Sequence, residues 1–136
     1  MGLTPDTIYE SLHPSYNQDM VFRAGEGAGR SGSFFFFSHD KRFIIKTMSV
    51  AEHTLFLSRM LSGYENHVSE KSLIAKILGV FTVRSTQLND IHLMLMANTM
   101  RTAHNFKKFY VFDLKGSTVD RISSSEGGVK KDLNYK

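Results

Sequence analysis

Gly25-Glu26-Gly27-Ala28-Gly29-Arg30-Ser31-Gly32-Ser33-Phe34-Phe35-Phe36-Phe37 passes through a turn at Ser38-His39-Asp40 into Arg42-Phe43-Ile44-Ile45-Lys46-Thr47. Four glycines thus precede an aromatic strand, and the next strand delivers a lysine. Glycine lets main chain approach a polyanion and turn its N–H groups toward it. A lysine on the following strand then neutralises phosphate oxygens from the other side. Pliant donors above and one ammonium below suit a nucleotide triphosphate. The short pattern Gly25-x-Gly27-x-Gly29 by itself also describes an ordinary loop before a strand, and a lysine there is often only solvated.

The longer strings are more specific. Gly29-Arg30-Ser31-Gly32-Ser33-Phe34-Phe35 followed by Arg42-Phe43-Ile44-Ile45-Lys46-Thr47 resembles the nucleotide-binding segment of the phosphatidylinositol phosphate kinases, the phosphatidylinositol-4-phosphate 5-kinases among them. Asp113-Leu114-Lys115-Gly116-Ser117, with Arg121 four residues after Ser117, resembles a second hallmark string of that family, and the two occur in its order. Asn98 is similar to the family's post-hinge asparagine, and Lys131-Asp132-Leu133-Asn134 to its later lysine-aspartate segment. The resemblance covers residues 20–136 and leaves residues 1–19 as an amino-terminal extension.

Composition sets the outer bounds. At 136 residues the chain suits one domain with a real core but is short for a two-lobed kinase. It contains no cysteine, which excludes a disulfide framework, a thiolate metal site and a thiol nucleophile. Apolar runs are too short to span a bilayer, and the amino terminus lacks a basic start followed by an apolar core. The reading is therefore cytoplasmic and not transmembrane. Residues 1–100 balance nine basic against nine acidic side chains, so the whole net charge of +4 lies in residues 101–136. A basic end suits an anionic leaflet, each such residue near the surface contributing on the order of 1 kcal/mol. It equally describes a solvated tail. A nucleic-acid interface is disfavoured because aromatics are not interleaved with this charge in a recognition motif.

Along the chain, Asp6–Leu12 reads as a short helix capped by Thr4 or Asp6 and stopped by Pro14. Met20–Arg23 reads as a strand, and Phe34–Phe37 as a strand covered on both faces, one of them roofing a pocket. Period-two alternation puts Ile44 beside Lys46, opposite Phe43 and Ile45. Ser49-x-x-Glu52 has the spacing of a capping box opening a helix over residues 50–61, with Gly63 near its end. Glu52 has two competing roles there, closing the cap or reaching Lys46. Ile77–Val83, with a bulge at Gly79, and Ile91–Met96 read as strands, followed by a break at Ala97-Asn98-Thr99. A last strand is predicted over Lys108–Phe112, and residues 123–128 form a serine-glycine loop. The fold class is α+β, an antiparallel sheet of about five to seven strands with a packed helix.

The resemblance implies the amino-terminal, ATP-binding lobe of a kinase-like fold. It implies ATP-dependent phosphorylation of a phosphatidylinositol phosphate headgroup, phosphatidylinositol 4-phosphate to the 4,5-bisphosphate, at an anionic membrane surface. On that basis Gly29, Arg30, Ser31, Gly32 and Ser33 cover the phosphates, Lys46 neutralises them and Glu52 orients Lys46. Ile44, Met94, Met96 and Asn98 line the nucleotide site, although a methionine-leucine run is more often plain core. Lys115 and Arg121 serve the lipid phosphate, since a lysine and an arginine fork suit phosphate esters. No motif after Lys115 supplies a catalytic aspartate or a metal-holding one. Magnesium is accordingly expected in a lobe beyond these residues, and the chain alone is expected to be inactive. A second class is a phosphoinositide-binding or scaffolding module with a kinase-like fold and no chemistry. Homodimerisation is left open.

Overall fold

The computed structural model describes residues 3–24, 33–69, 71–100, 110–124 and 128–135. These fall into two compact units, Met1–Arg101 and Thr102–Lys136, each taken separately below.

The first unit opens with helix α1 (Pro5–Leu12), whose N-cap Thr4 accepts the Thr7 N–H through its hydroxyl. Proline at the first helical position needs no hydrogen bond and already has the helical φ. The same reason starts α2 (Pro14–Ala24) directly after His13. That helix overturns the strand expected over Met20–Arg23. Four apolar-rich residues carry too little periodicity to separate a strand from the last turn of a helix, and Pro14 had already set the helix going.

Four antiparallel strands follow: β1 (Phe35–Phe37), β2 (Phe43–Met48), β3 (Ile77–Val83) and β4 (Ile91–Ala97), in the spatial order β1-β2-β4-β3. The β1–β2 turn is built on Asp40. Its carboxylate accepts the hydroxyls of Ser11 and Ser38, each at 2.7 Å, and the Arg42 N–H at 3.1 Å. Asn17 completes the joint with the α1–α2 corner, donating to the Ser11 and His13 carbonyls and accepting the His39 N–H. Burial works against the Asp40 charge. The Ser11 hydroxyl, the Arg42 N–H, the Ser38 hydroxyl and the Arg42 charge together outweigh it and hold the carboxyl below its usual range.

Residues opposite one another in an antiparallel pair share a face. Phe36, Ile45 and Leu95 are in register, and Phe43 lies on the same side two residues from Ile45. Phe36, Phe43 and Leu95 are buried, so this face carries the core, with α2 in contact with β1. Phe35 and Phe37 point to the other face and are exposed. The expectation that both faces of the phenylalanine strand are covered is therefore not met within the described residues. The bulge at Gly79 is present, the register slipping between Ile77 and Gly79. A Cβ at Gly79 would lie 2.6 Å from the Phe81 ring.

Helix α3 (Val50–Leu55) leads through a π-helical turn (Phe56–Met60) into α4 (Leu61–Ser69). The predicted end near Gly63 is thus overturned, because the helix runs through the glycine to Ser69. Phe56 is buried edge-on to Tyr64. The Tyr64 hydroxyl donates to the Ala75 carbonyl and accepts the Ile77 N–H, fastening the helix to the start of β3. That fastening favours continuing the helix past a residue that would otherwise weaken it.

The second unit has a parallel pair, β5 (Phe112–Asp113) and β6 (Lys130–Lys131), followed by a 3-10 turn over Asp132–Asn134. Of the strand expected over Lys108–Phe112, residues 108 and 109 lie outside the described residues, Tyr110 and Val111 are not in a strand, and Phe112 opens β5, which pairs parallel rather than antiparallel. The count of four antiparallel strands plus this pair, among described residues, replaces the five to seven antiparallel strands read from sequence. The α+β class stands.

Candidate functional site

Lys46 lies on β2, on the face opposite the core. In register it stands beside Phe35 on one side and Met94 on the other, while Ile44 stands between Phe37 and Met96. Ile44, Lys46, Met94 and Met96, singled out separately in the sequence, are therefore a contiguous block of two cross-strand pairs. All four are half-exposed. The ammonium sits 5.9 Å from the centroid of the Phe35 ring, the outer limit of a cation–π contact.

The Lys46 ammonium meets Glu52 Oε1 at 3.4 Å. The two roles open to Glu52 coexist because the carboxylate divides its oxygens. Oε2 accepts the Ser49 N–H at 2.7 Å and the Ser49 hydroxyl at 2.9 Å, while the Glu52 N–H donates back to Ser49 Oγ at 3.2 Å. The Glu52 carboxyl is held below its usual range mainly by the Ser49 N–H, next by the Ser49 hydroxyl, with burial opposing and Lys46 adding less. Capping dominates the energetics. An ion pair with side chains 26% and 47% exposed contributes only about 0–1 kcal/mol to stability. Its significance lies in where it points the lysine.

Helix α3 is also fastened one residue on. The His53 ring stacks on His92 of β4 with centroids 4.0 Å apart, and His92 Nδ1 lies 2.9 Å from the Thr82 hydroxyl. Neither histidine stood out in the sequence, since a lone histidine on a helix or strand carries no spacing signal. Asn98, just past β4, bonds inward: Nδ2 donates to the Lys41 carbonyl at 2.8 Å and Oδ1 accepts the Met100 N–H. It ties the end of β4 to the β1–β2 turn, and a ligand contact would be additional to that.

Of the loop expected to cover phosphates, Gly29, Arg30, Ser31 and Gly32 lie outside the described residues. Ser33 is described and half-buried.

In the second unit the Lys115 side chain is 63% exposed, with Asp113 a distant partner at 3.8 Å. Arg121 is different. Its guanidinium is turned inward, Nε donating to Asp132 Oδ2 at 2.8 Å and Nη2 pairing with the Asp113 carboxylate at 3.2 Å and with the Asp113 carbonyl. Its side chain is 10% exposed. The fork expected to face lipid phosphate is spent on two carboxylates of its own unit. Two loop N–H groups are also occupied: Lys115 and Gly116 both donate to Asp132 Oδ1, at 3.0 and 2.8 Å. Gly116 takes φ +68, which brings the two N–H groups round to one oxygen. The sequence placed Asp132 in a lysine-aspartate segment but carried no sign of this clasp. Asp132 lies 16 residues beyond Gly116, and no periodicity links the two.

Comparison with known proteins is specific. The family described as Phosphatidylinositol-4-phosphate 5-Kinase matches residues 17–136. The chain belongs to the phosphatidylinositol-4-phosphate 5-kinase family. Phosphatidylinositol 4-phosphate 5-kinase 6 of Arabidopsis thaliana is 40% identical over 100 residues, 71% of this chain and 14% of that protein. Phosphatidylinositol 4-phosphate 5-kinase type-1 beta of Gallus gallus is 32% identical over 137 residues, 99% of this chain and 24% of its own length. A probable phosphatidylinositol phosphate kinase of Dictyostelium discoideum is 31% identical over 98% of this chain and 19% of its own. The chain thus spans less than a quarter of the length of these family members. No helix among the described residues is long and apolar enough to cross a membrane.

Proposed function

We propose that this chain is the ATP-binding lobe of a lipid kinase that phosphorylates a phosphatidylinositol phosphate, phosphatidylinositol 4-phosphate being the substrate class. The observation that carries this reading is the Lys46–Glu52 pair set into the face formed by Ile44, Met94 and Met96. A half-buried cation edged by apolar side chains fits a nucleotide: flat base against the methionines and Ile44, triphosphate against the ammonium. Glu52 keeps Lys46 on that face when no phosphate is present. The segment from Gly29 to Ser33 is assigned the cover over the phosphates.

Lys115 is assigned the lipid phosphate as a mobile point charge. Arg121 joins it indirectly, by holding the loop that carries it. No group of three side chains among the described residues is arranged to hold a metal, so the magnesium assignment rests on family membership. The basic residues after position 100 favour a peripheral position at an anionic surface. Phosphoryl transfer also needs groups that position the hydroxyl and hold metal, and the lobe by itself is expected to be inactive.

The test is ATP-dependent phosphorylation of phosphatidylinositol 4-phosphate in phosphatidylcholine vesicles by the full-length protein. Lys46→Met should abolish turnover. Normal turnover in that variant overturns the assignment of Lys46.

A further inference from the structure

Ser49 is the residue between β2, which carries Lys46, and α3, which carries Glu52. Its contacts do more than start a helix. An N-cap needs only one acceptor, and Ser49 Oγ supplies it to the Glu52 N–H. Ser49 also donates twice, through N–H and hydroxyl, and both donations fall on the same carboxylate oxygen, Oε2. A glutamate has three rotatable bonds and, at 47% side-chain exposure, little packing to hold them. With Oε2 engaged from two directions the carboxylate is fixed in rotation, and Oε1 is the oxygen left toward Lys46.

We propose that Ser49 is a positioning residue for nucleotide binding: its hydroxyl and N–H lock the Glu52 carboxylate so that Oε1 holds the Lys46 ammonium on the nucleotide face. This rests on the reading of Lys46 and Glu52 given above and adds a third member to the pair. The requirement is for a side chain that both accepts and donates. Aspartate, an equally good N-cap, only accepts.

That difference supplies the experiment. In the full-length protein Ser49→Asp keeps an acceptor for the Glu52 N–H but loses the hydroxyl donor and sets a second negative charge against the carboxylate. Ser49→Thr keeps both functions. Steady-state kinetics are measured with ATP varied and with phosphatidylinositol 4-phosphate vesicles varied, alongside thermal melting. Ser49→Asp should raise KM for ATP about three- to tenfold, the range expected when part of a charged hydrogen-bond set is lost. KM for the lipid should stay unchanged, the melting temperature should fall only slightly because aspartate still caps the Glu52 N–H, and Ser49→Thr should match the unaltered protein.

An unchanged KM for ATP in Ser49→Asp overturns the proposal. So does an equal loss toward both substrates with a lowered melting temperature, which is what a purely structural cap would give. Should Ser49→Asp melt early, Ser49→Gly decides in the same way, since glycine caps nearly as well and lacks the hydroxyl. Lys46→Met and Glu52→Gln run in parallel separate the two levels. Inactive Lys46→Met with normal Ser49 variants sinks Ser49 alone, whereas normal Lys46→Met sinks the nucleotide site and Ser49 with it.

Discussion

Asp132 binds Arg121 Nε through one carboxylate oxygen and the main-chain N–H groups of Lys115 and Gly116 through the other. One side chain thereby fixes both the arginine and the loop of the second hallmark string. Asp132→Ala should free that loop. The check is amide hydrogen exchange: Lys115 and Gly116 should exchange about tenfold faster in the variant, the factor expected for losing an ordinary hydrogen bond. Unchanged protection of both amides would mean that something other than Asp132 holds the loop.

The same clasp predicts a pH response. The Arg121 hydrogen bond, joined by the Lys115 and Gly116 N–H groups, holds the Asp132 carboxyl far below its ordinary value of 3.8 despite the cost of burial. A depressed folded-state pKa stabilises the fold above the unfolded value and ceases to do so as pH falls through the folded one. Protection of the Lys115 and Gly116 amides should therefore persist from neutral pH through 3.8. Loss of protection centred near 3.8, where an unperturbed carboxyl takes up its proton, would contradict the clasp.

Asp40 plays the corresponding part in the first unit, where it gathers Ser11, Ser38 and Arg42. Asp40→Ala leaves two buried hydroxyls short of their acceptor and should destabilise by about 2–3 kcal/mol in urea unfolding. The Asp40 pKa is also lowered. Its contribution is present above the ordinary value of 3.8 and fades as pH falls through the folded one. The acid limb of the stability curve should be shallower in the variant.

Much of this was legible in the sequence because it is local. The Thr4 cap, the Ser49–Glu52 box, the Gly79 bulge and the placement of Ile44 beside Lys46 follow from spacings of two to four residues. The α2 helix was not legible, because Met20-Val21-Phe22-Arg23 fits a strand end and a helical turn equally well. The inward turn of Arg121 and the clasp by Asp132 depend on contacts across 11 to 17 residues of intervening loop. Local pattern cannot report those. The sequence marked charge suited to phosphate in the second unit; folding spends part of it on the unit's own carboxylates.

The run of helix through Gly63 gives a stability test. Nothing lies within 4 Å of the position a Cβ would take there. Gly63 is in α4, between the π-helical turn and Tyr64. Gly63→Ala should stabilise the chain by about 0.5–1 kcal/mol, because alanine has less unfolded-state freedom to lose. A lower melting temperature in this variant would show that Gly63 serves a conformation other than the one described.

The two faces of the phenylalanine strand differ in what they are for, and substitutions should separate them. Phe43 on β2 shares the core face with Phe36 and is 1% exposed, whereas Phe37 is 43% exposed on the face it shares with Ile44 and Met96. Phe43→Ala should cost about 3–5 kcal/mol in unfolding free energy, the range for removing a buried aromatic. Phe37→Ala removes a ring already half in water, so about 1 kcal/mol or less is expected from area alone. If the exposed face is where a nucleotide base rests, Phe37→Ala in the full-length protein should nevertheless raise KM for ATP while leaving KM for phosphatidylinositol 4-phosphate vesicles unchanged. A stability loss as large as that of Phe43→Ala would instead show that the outer face is packed in the working protein. An unaltered KM for ATP would move the base off this edge of the sheet.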